Sequence, residues 1–574
     1  MTGALASISR KGRQFRSDPV LRRWAVARLL GRESGTPAFH AHHPPYLDGR
    51  LPLTAETPAA AFSALDATPP EAELTIDLAG TDVTVATGGE AGLFERRFAD
   101  EETLLALHRF AWLPLAENVE PGWVCLLWQA WMERFSKPDD SLAWHPYTAA
   151  ERCINILNYG SRAGLPGPKN ETLAVLGAHG PAIAARLEYF GDHDTSNHLA
   201  NNGRGLYLLG LALSMPECAD LGAEILVQEA ARIFTKRAGV FAEESSHYHL
   251  LYTRDYLEAW LAATQHGRSE AEDFKAIAQK ALTSAQKIDL PGGYPLIGDI
   301  SPDVPPEDLF GLLAPNSGGG WLGRLGDGER GQVESLINEA APPEIYDLAA
   351  DGWLRADFGP WSGLWHLPPG GWAAMPGHGH QDLGGFELHY GKLPLFIDLG
   401  RGLYGADGEA VAYVAAAMNN GLSVDGLDPY PPNKPYYSAA FRRSVVDADP
   451  GYDIGEDHVT IQNSGFHRLA GCGLATYTWR FNGDQFSLSD CLEGAGTRRR
   501  VVRHLATSLE VTESEGGLIL SGGGHRFLLS SESAMAHVPT IRWRAYNRGE
   551  RATLITLTTE ARPPLQIHFT LKIV

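Results

Sequence analysis

Residues 377–400 read GHGHQDLGGFELHYGKLPLFIDLG. Two histidines separated by one glycine open a segment that then alternates, turns at Gly391-Lys392 and reaches Asp398. Side chains of an extended chain alternate faces, so His378 and His380 are expected to point the same way. A two-residue turn at Gly391-Lys392 sets Asp398 opposite Gly385, facing away from His380, because directly opposed residues share a face. For Asp398 to join His380, the strand pair needs a bulge or a three-residue loop. Gly384-Gly385 accepts a bulge's backbone angles at least cost. The histidine pair admits two readings. One is a turn with solvent-exposed imidazoles; the other is a split role, with His378 acting on a substrate and His380 holding a metal.

From about residue 350 to the end, the short runs RRSVVDAD, HVTIQNSG, TYTWRFNG, SLEVTES, GLILSGG, ATLITLTT and LQIHFTLKIV are separated by Gly, Asp and Asn turns. This pattern predicts an antiparallel β-sandwich. Upstream, EETLLALHRFAWL, WVCLLWQAWMERF, TAAERCINILNYG, LGAEILVQEAARIFTKRA and RDYLEAWLAATQ place apolar residues three or four apart, which predicts helices packed as antiparallel pairs. The Pro/Gly-rich LLAPNSGGGWLG closes the helical part. The expected organisation is an N-terminal extension with short strands over 1–100, a helical domain over 101–340 and a β-sandwich domain over 341–574.

The 574 residues are 44% hydrophobic and 20% charged, which suits a globular chain with ample core. With 69 acidic against 48 basic residues the net charge is −21, which disfavours broad binding to nucleic acid or to anionic membrane. A local pocket of Arg, His and Asn can still oppose that sign and take an anionic substrate. Five cysteines without CxxC spacing suggest neither a disulfide framework nor a cysteine zinc site. The basic N-terminus has no apolar stretch long enough for a signal peptide, and no window reaches the roughly 20 apolar residues of a membrane span. A cytoplasmic location is the expectation.

Two stretches of the helical half carry chemistry. In TSNHLANNGRGLYLLGLAL, Asn197, His198, Asn201 and Asn202 precede an apolar helical run. Capping accounts for one or two of them, and a functional role is the alternative for the rest. In GVFAEESSHYHLLYTRDYLEAW, Tyr248, Tyr252 and Tyr256 recur every four residues on one helix face. Such a stripe reads as core, most clearly for Tyr256. Tyr248, set between His247 and His249 and after Glu243 and Glu244, is also placed to exchange a proton.

Taken in order, NHLANN, EESSHYHLLY and HGHQDLGGFELHYGKLPLFIDLG, together with WHPYTAAERCINIL at 144–157, resemble the heparinase II/III family of polysaccharide lyases over about residues 140–430. The resemblance implies an incomplete α/α toroid of helix pairs followed by an antiparallel β-sandwich, with a cleft between them. It implies β-elimination on a uronic-acid-containing polysaccharide or oligosaccharide. Asn197, with His198, would neutralise the substrate carboxylate, Tyr248 would be general acid and possible base, His378 a second proton-transfer residue, and Tyr252 an accessory. Arg152, Asn201 and Arg204 are candidate substrate contacts. The family also implies a structural zinc held by His380, Asp398 and a later histidine. This chain has Asn419 in AAAMNNGLSVDG at that place, and an amide is the poorer zinc ligand. No organic cofactor is expected. A glycoside hydrolase on the same fold and a non-catalytic glycan-binding or biosynthetic accessory protein are the alternatives.

Overall fold

The computed structural model describes residues 12, 15, 16 and 18–574, apart from 34–42, 60, 61, 117, 192–194, 315–318, 341–343, 376, 406, 407, 435, 436 and 447. Helix α1 (Pro19–Leu29) is followed by a ribbon of β1 (Leu74–Leu78) and β2 (Thr81–Val85). Then come α2 (Glu101–Arg109), α3 (Pro121–Phe135), α4 (Pro146–Ala163), α5 (Lys169–Ala184), α6 (His198–Ala212), α7 (Pro216–Ile233), α8 (Ser246–Gln265), α9 (Ala271–Ile288) and α10 (Asp327–Glu339). Proline stands at the start of α1, α3, α4 and α7, where its missing N–H costs nothing and its fixed φ suits a helix.

The helices pack closely where glycine allows it. A Cβ at Gly222 of α7 would lie 2.3 Å from the backbone N of Tyr207 in α6, and one at Gly205 of α6 would lie 2.5 Å from the Cβ of Ala150 in α4. Helix α6 is thereby held from both sides. No helix among the described residues is long and apolar enough to cross a membrane.

The C-terminal half contains antiparallel strands in three sheets. One four-stranded sheet runs β3 (Trp353–Phe358), β4 (Trp361–His366), β5 (Phe386–Tyr390), β6 (Leu393–Phe396). The remaining strands in chain order are β7 (Leu422–Val424), β8 (Gly451–Ile454), β9 (His458–Asn463), β10 (Cys472–Asn482), β11 (Gln485–Gly494), β12 (Arg499–Thr507), β13 (Glu510–Ser514), β14 (Gly517–Gly522), β15 (His525–Ser531), β16 (Ala534–Ala545), β17 (Arg548–Ala561) and β18 (Leu565–Ile573). They form an eight-stranded sheet ordered β13-β14-β15-β18-β11-β10-β9-β8 and a four-stranded sheet ordered β16-β17-β12-β7. Trp365, Trp479, Phe486, Ile555 and Phe569, from all three sheets, share one buried cluster, the sandwich core that the alternation predicts.

Two local expectations change. RRSVVDAD was expected as a strand, but Ala439–Val445 is helical because Ser438 caps it by accepting the Phe441 N–H at 3.1 Å. The histidine pair lies in a loop, and β5 starts only at Phe386. The β5–β6 turn is the two-residue one at Gly391-Lys392, and the register shifts between Leu388↔Phe396 and His389↔Pro394. The bulge required for Asp398 thus exists, at Leu395 rather than at the glycine pair.

The first hundred residues divide between the two halves. Leu74, Ile76 and Val83 of the ribbon are buried with Trp123 and Trp128 of α3, whereas Val20 of α1 is buried with the sandwich residues. Replacing Gly222 by alanine is expected to push α6 and α7 apart, cost roughly 1–3 kcal/mol and lower the Tm in thermal melts; an unchanged Tm would show that the helices separate freely.

Candidate active site

Glu243 joins the two halves of the site. It stands just before α8, and its carbonyl accepts the His378 N–H at 2.7 Å. Its carboxylate Oε1 accepts the Asn197 N–H at 2.6 Å, while Oε2 lies 3.6 Å from His378 Nε2. Burial raises the Glu243 carboxyl above its ordinary pKa, partly offset by His378 and the Asn197 N–H. Glu244 follows at φ +63°, a costly angle for a residue with a side chain. Its Oε2 accepts the Ala374 N–H at 2.9 Å, and burial pushes its carboxyl up to about 7.

Helix α8 begins where Ser245 accepts the Tyr248 N–H at 3.2 Å, which sets Tyr248 in the first turn. The Tyr248 ring stacks on the His378 imidazole with centroids 3.7 Å apart and planes 9° from parallel. Phe241 backs both Tyr248 and Tyr252. The Tyr248 hydroxyl is 2.9 Å from that of Tyr404. Burial, with the nearby Asp303 charge, raises the Tyr248 phenol well above its ordinary pKa, so the phenol stays protonated.

Asn197 occupies the N-cap position of α6, yet its side chain makes no capping bond. Its Nδ2 lies 3.4 Å from His378 Nε2, and its Oδ1 is buried without a hydrogen-bond partner. His378 Nδ1 meets Asp299 Oδ2 at 3.2 Å. A neutral ring with its proton on Nδ1 satisfies both contacts and leaves the Nε2 lone pair toward the amide.

Asp299 gathers more than His378. Its Oδ1 faces His380 Nε2 at 3.1 Å, and Arg401 Nη1 donates to both oxygens at 3.0 and 3.1 Å. Burial opposes the charge, but Arg401 and the two imidazoles outweigh it and hold the carboxyl far below the usual range. The two histidines do point the same way, onto the two oxygens of one carboxylate.

The proposed zinc ligands fit a metal poorly. Asn419 Nδ2 donates to Tyr413 O and Ala415 O, which turns Oδ1 toward His380 Nδ1 at 3.0 Å. With Asp299 on Nε2, both nitrogens of His380 face acceptors and neither offers a lone pair. Asp398 lies close enough for His380 to lower its carboxyl, which burial nevertheless pushes up to about 7. No group of three or more His, Cys, Asp or Glu set to hold a metal occurs among the described residues.

The other candidates separate clearly. Tyr252 donates to the Asn197 carbonyl at 2.8 Å and fixes that backbone; Tyr256 donates to Leu226 O in the core. His198 Nδ1 is 2.7 Å from Glu188 Oε1, and Asn202 holds Glu188 Oε2 at 3.0 Å. Asn201 is buried, and neither of its amide atoms has a partner. Arg152 and Arg204 lie in the helical interior. Arg152 donates to His179 and two backbone carbonyls, and Arg204 is enclosed by Glu151, Asp255 and Glu258. Both are structural arginines here, because burial surrounds them with protein acceptors. Asp192, a carboxylate near the NHLANN motif that the hydrolase alternative could call on, lies outside the described residues.

Asp299, Arg401 and Tyr404 carry no signal of their own in the sequence. Asp299 sits in GDISPD far from either motif, and Arg401 and Tyr404 follow IDLG in RGLYG; that proximity to the histidine segment was the available hint. A cavity of about 730 Å³ bordered by Leu74, Trp112, Trp123 and Glu307 shares none of these residues.

Residues 347–570, the β-rich part of the chain, match the family model "Heparinase II/III-like, C-terminal". Among solved structures, a heparinase III is 16% identical, with TM-score 0.59, over 84% of this chain and 79% of that one. A second heparinase III gene product is 14% identical, with TM-score 0.56, over 97% and 91%. A mutant heparan sulfate lyase from Pedobacter heparinus is 14% identical, with TM-score 0.50, over 84% and 78%. At these identities the likeness is one of fold, and it bears out the toroid followed by a sandwich. No curated protein matches the chain.

Burial alone would lower the half-exposed His198 imidazole, but the Glu188 charge and hydrogen bond raise it above 6.5, and the same contacts lower Glu188 from 4.5 to about 2. The raised histidine stabilises the fold below its unfolded pKa and loses this as pH climbs through the folded one; the lowered carboxyl contributes above its unfolded pKa and loses this in acid. The Tm difference between wild type and Glu188→Gln is therefore expected to peak between about pH 4.5 and 6.5, and a difference independent of pH would refute the pairing. Dialysis against a metal chelator is expected to leave the Tm unchanged; a fall reversed by zinc would make His380 a ligand.

Proposed function

We propose that this chain, whose β-rich part matches the heparinase II/III-like C-terminal model, is a lyase that cleaves a uronate-containing acidic polysaccharide or oligosaccharide by β-elimination. The reading is carried by one observation: the Tyr248 phenol stacked on His378, with the Asn197 amide at the edge of that imidazole.

The C5 proton of a uronate is weakly acidic, and it leaves only if the charge that arrives on the carboxylate is stabilised. Asn197 is a fixed amide donor whose position is set by Glu243 and Tyr252, so it supplies that stabilisation without reorganising. His198, held cationic by Glu188, adds charge next to it. His378 Nε2 takes the C5 proton. The electron pair left behind forms the C4–C5 double bond as the C4–O bond breaks, and Tyr248 gives its phenolic proton to the departing oxygen. The imidazolium proton then returns to the phenolate. Tyr404, in contact with the Tyr248 hydroxyl, is placed to carry a proton to it.

A hydrolase needs two carboxylates free to flank a glycosidic bond. Asp299 spends both oxygens on Arg401 and two imidazoles, and Glu243 spends one on the Asn197 N–H, so the acid–base work falls to His378 and Tyr248.

On a panel of uronate-containing glycans, wild type is expected to raise the ultraviolet absorbance of an unsaturated uronate. Tyr248→Phe is expected to lower the rate by roughly 10²–10⁴-fold with an unchanged circular dichroism spectrum. New reducing ends without that absorbance would replace this reading with a hydrolase, and glycan binding without cleavage would replace it with a binding protein.

A further inference from the structure

Helix α1 is apolar on both sides. Val20 is buried in the sandwich cluster, with Leu21 and Trp24 packed against it, and the Trp24 ring meets Tyr437 edge-on at 5.2 Å. This face attaches the helix to the β-domain. The opposite face carries Arg22, Val26, Leu29 and the C-cap Leu30, at helical spacing of four, seven and eight residues. Val26 is 51% exposed, Leu29 86% and Leu30 60%. The large hydrophobic residues exposed among the described residues are seven, and four of them, Phe15, Val26, Leu29 and Leu30, fall between positions 15 and 30. Single exposed leucines are ordinary, but a cluster on one short helix is not.

The charge in the same place is opposite to that of the chain. Residues 1–36 contain eight Arg and Lys against Asp18 and Glu33, in a protein of net charge −21. Arg16, Arg22, Arg23, Arg28 and Arg32 are exposed. Arg23 donates to the Ser444 hydroxyl at 3.3 Å, which brings α1 against the helix Ala439–Val445 and its exposed Arg443. Apolar side chains flanked by arginines on one helix face suit a surface that is anionic outside and apolar beneath.

We infer that α1 docks the protein on an anionic phospholipid surface, with Val26, Leu29 and Leu30 entering the headgroup–acyl boundary and the arginines pairing with lipid phosphates. A soluble polyanion matches the arginines equally well but gives the leucines nothing to enter, which is why lipid is the favoured occupant. The docking is peripheral and leaves the proposed cleft residues untouched. It is independent of the lyase reading, because it uses none of the same side chains.

The test is co-sedimentation of the full chain with vesicles of phosphatidylcholine alone or mixed with phosphatidylglycerol. About tenfold more protein is expected to pellet with the anionic vesicles, and most of that gain is expected to vanish in Leu29→Asp/Leu30→Asp, whose exposed positions spare the fold. Equal pelleting with both vesicle types would overturn the inference. So would binding that survives the leucine changes but is lost in Arg22→Ala/Arg23→Ala and is competed away by a soluble acidic glycan, which would make the patch a polyanion tether.

Discussion

The Asp299 carboxylate is the point on which the site depends. It is buried, yet it stays charged because Arg401, His378 and His380 surround it. Removing one partner of a buried ion pair typically costs about 3–5 kcal/mol, because the other charge is left uncompensated. The carboxylate comes from the segment that follows α9, and its partners come from the loops on either side of the β5–β6 hairpin. One residue therefore holds the β-domain loops against the helical domain and fixes which nitrogen of His378 carries the proton. Glu243 repeats the arrangement from the other side, through the His378 N–H and the Asn197 N–H.

This arrangement changes what the second histidine is for. In the reading from sequence, His380 was a zinc ligand with Asp398 and Asn419. In the structure Asn419 is locked by two backbone carbonyls, so its oxygen can only accept from His380. An imidazole between an amide oxygen and a carboxylate satisfies both only by keeping both protons and donating both N–H groups, as the cation. His380 thus faces Asp299, Asp382 and Asp398, whose charges raise its pKa against the effect of burial.

Burial alone does not separate structural from candidate residues along the chain, since Asn197 and Tyr248 are as buried as Arg152 and Arg204. Arg152 and Arg204 were plausible anion contacts while only their residue type was known, and both turn out to neutralise or bridge the helical interior. His198, His378 and Tyr404 are partly exposed, and His378 and Tyr404 stand against Tyr248 of the helical part. Backbone strain is also local: Glu244 takes a left-handed φ immediately before α8 and turns its carboxyl back onto the loop that carries His378.

By itself the sequence determined the helices and most of the strands, because periodicities of 3.6 and 2 are written residue by residue and tertiary contacts rarely override them over long runs. It also determined that Asn197, Tyr248 and His378 belong together, through short motifs in a recognisable order. It misjudged RRSVVDAD, where the Ser438 cap outweighed alternation, and it placed the bulge at the glycines, where packing put it at Leu395. Only the tertiary structure decided the proton map, because Asp299, Arg401 and Tyr404 reach the site through contacts across about 80 to 160 positions of chain. No local pattern encodes a contact at that separation. The charge on His380 and the lone pair on His378 exist only once those side chains meet.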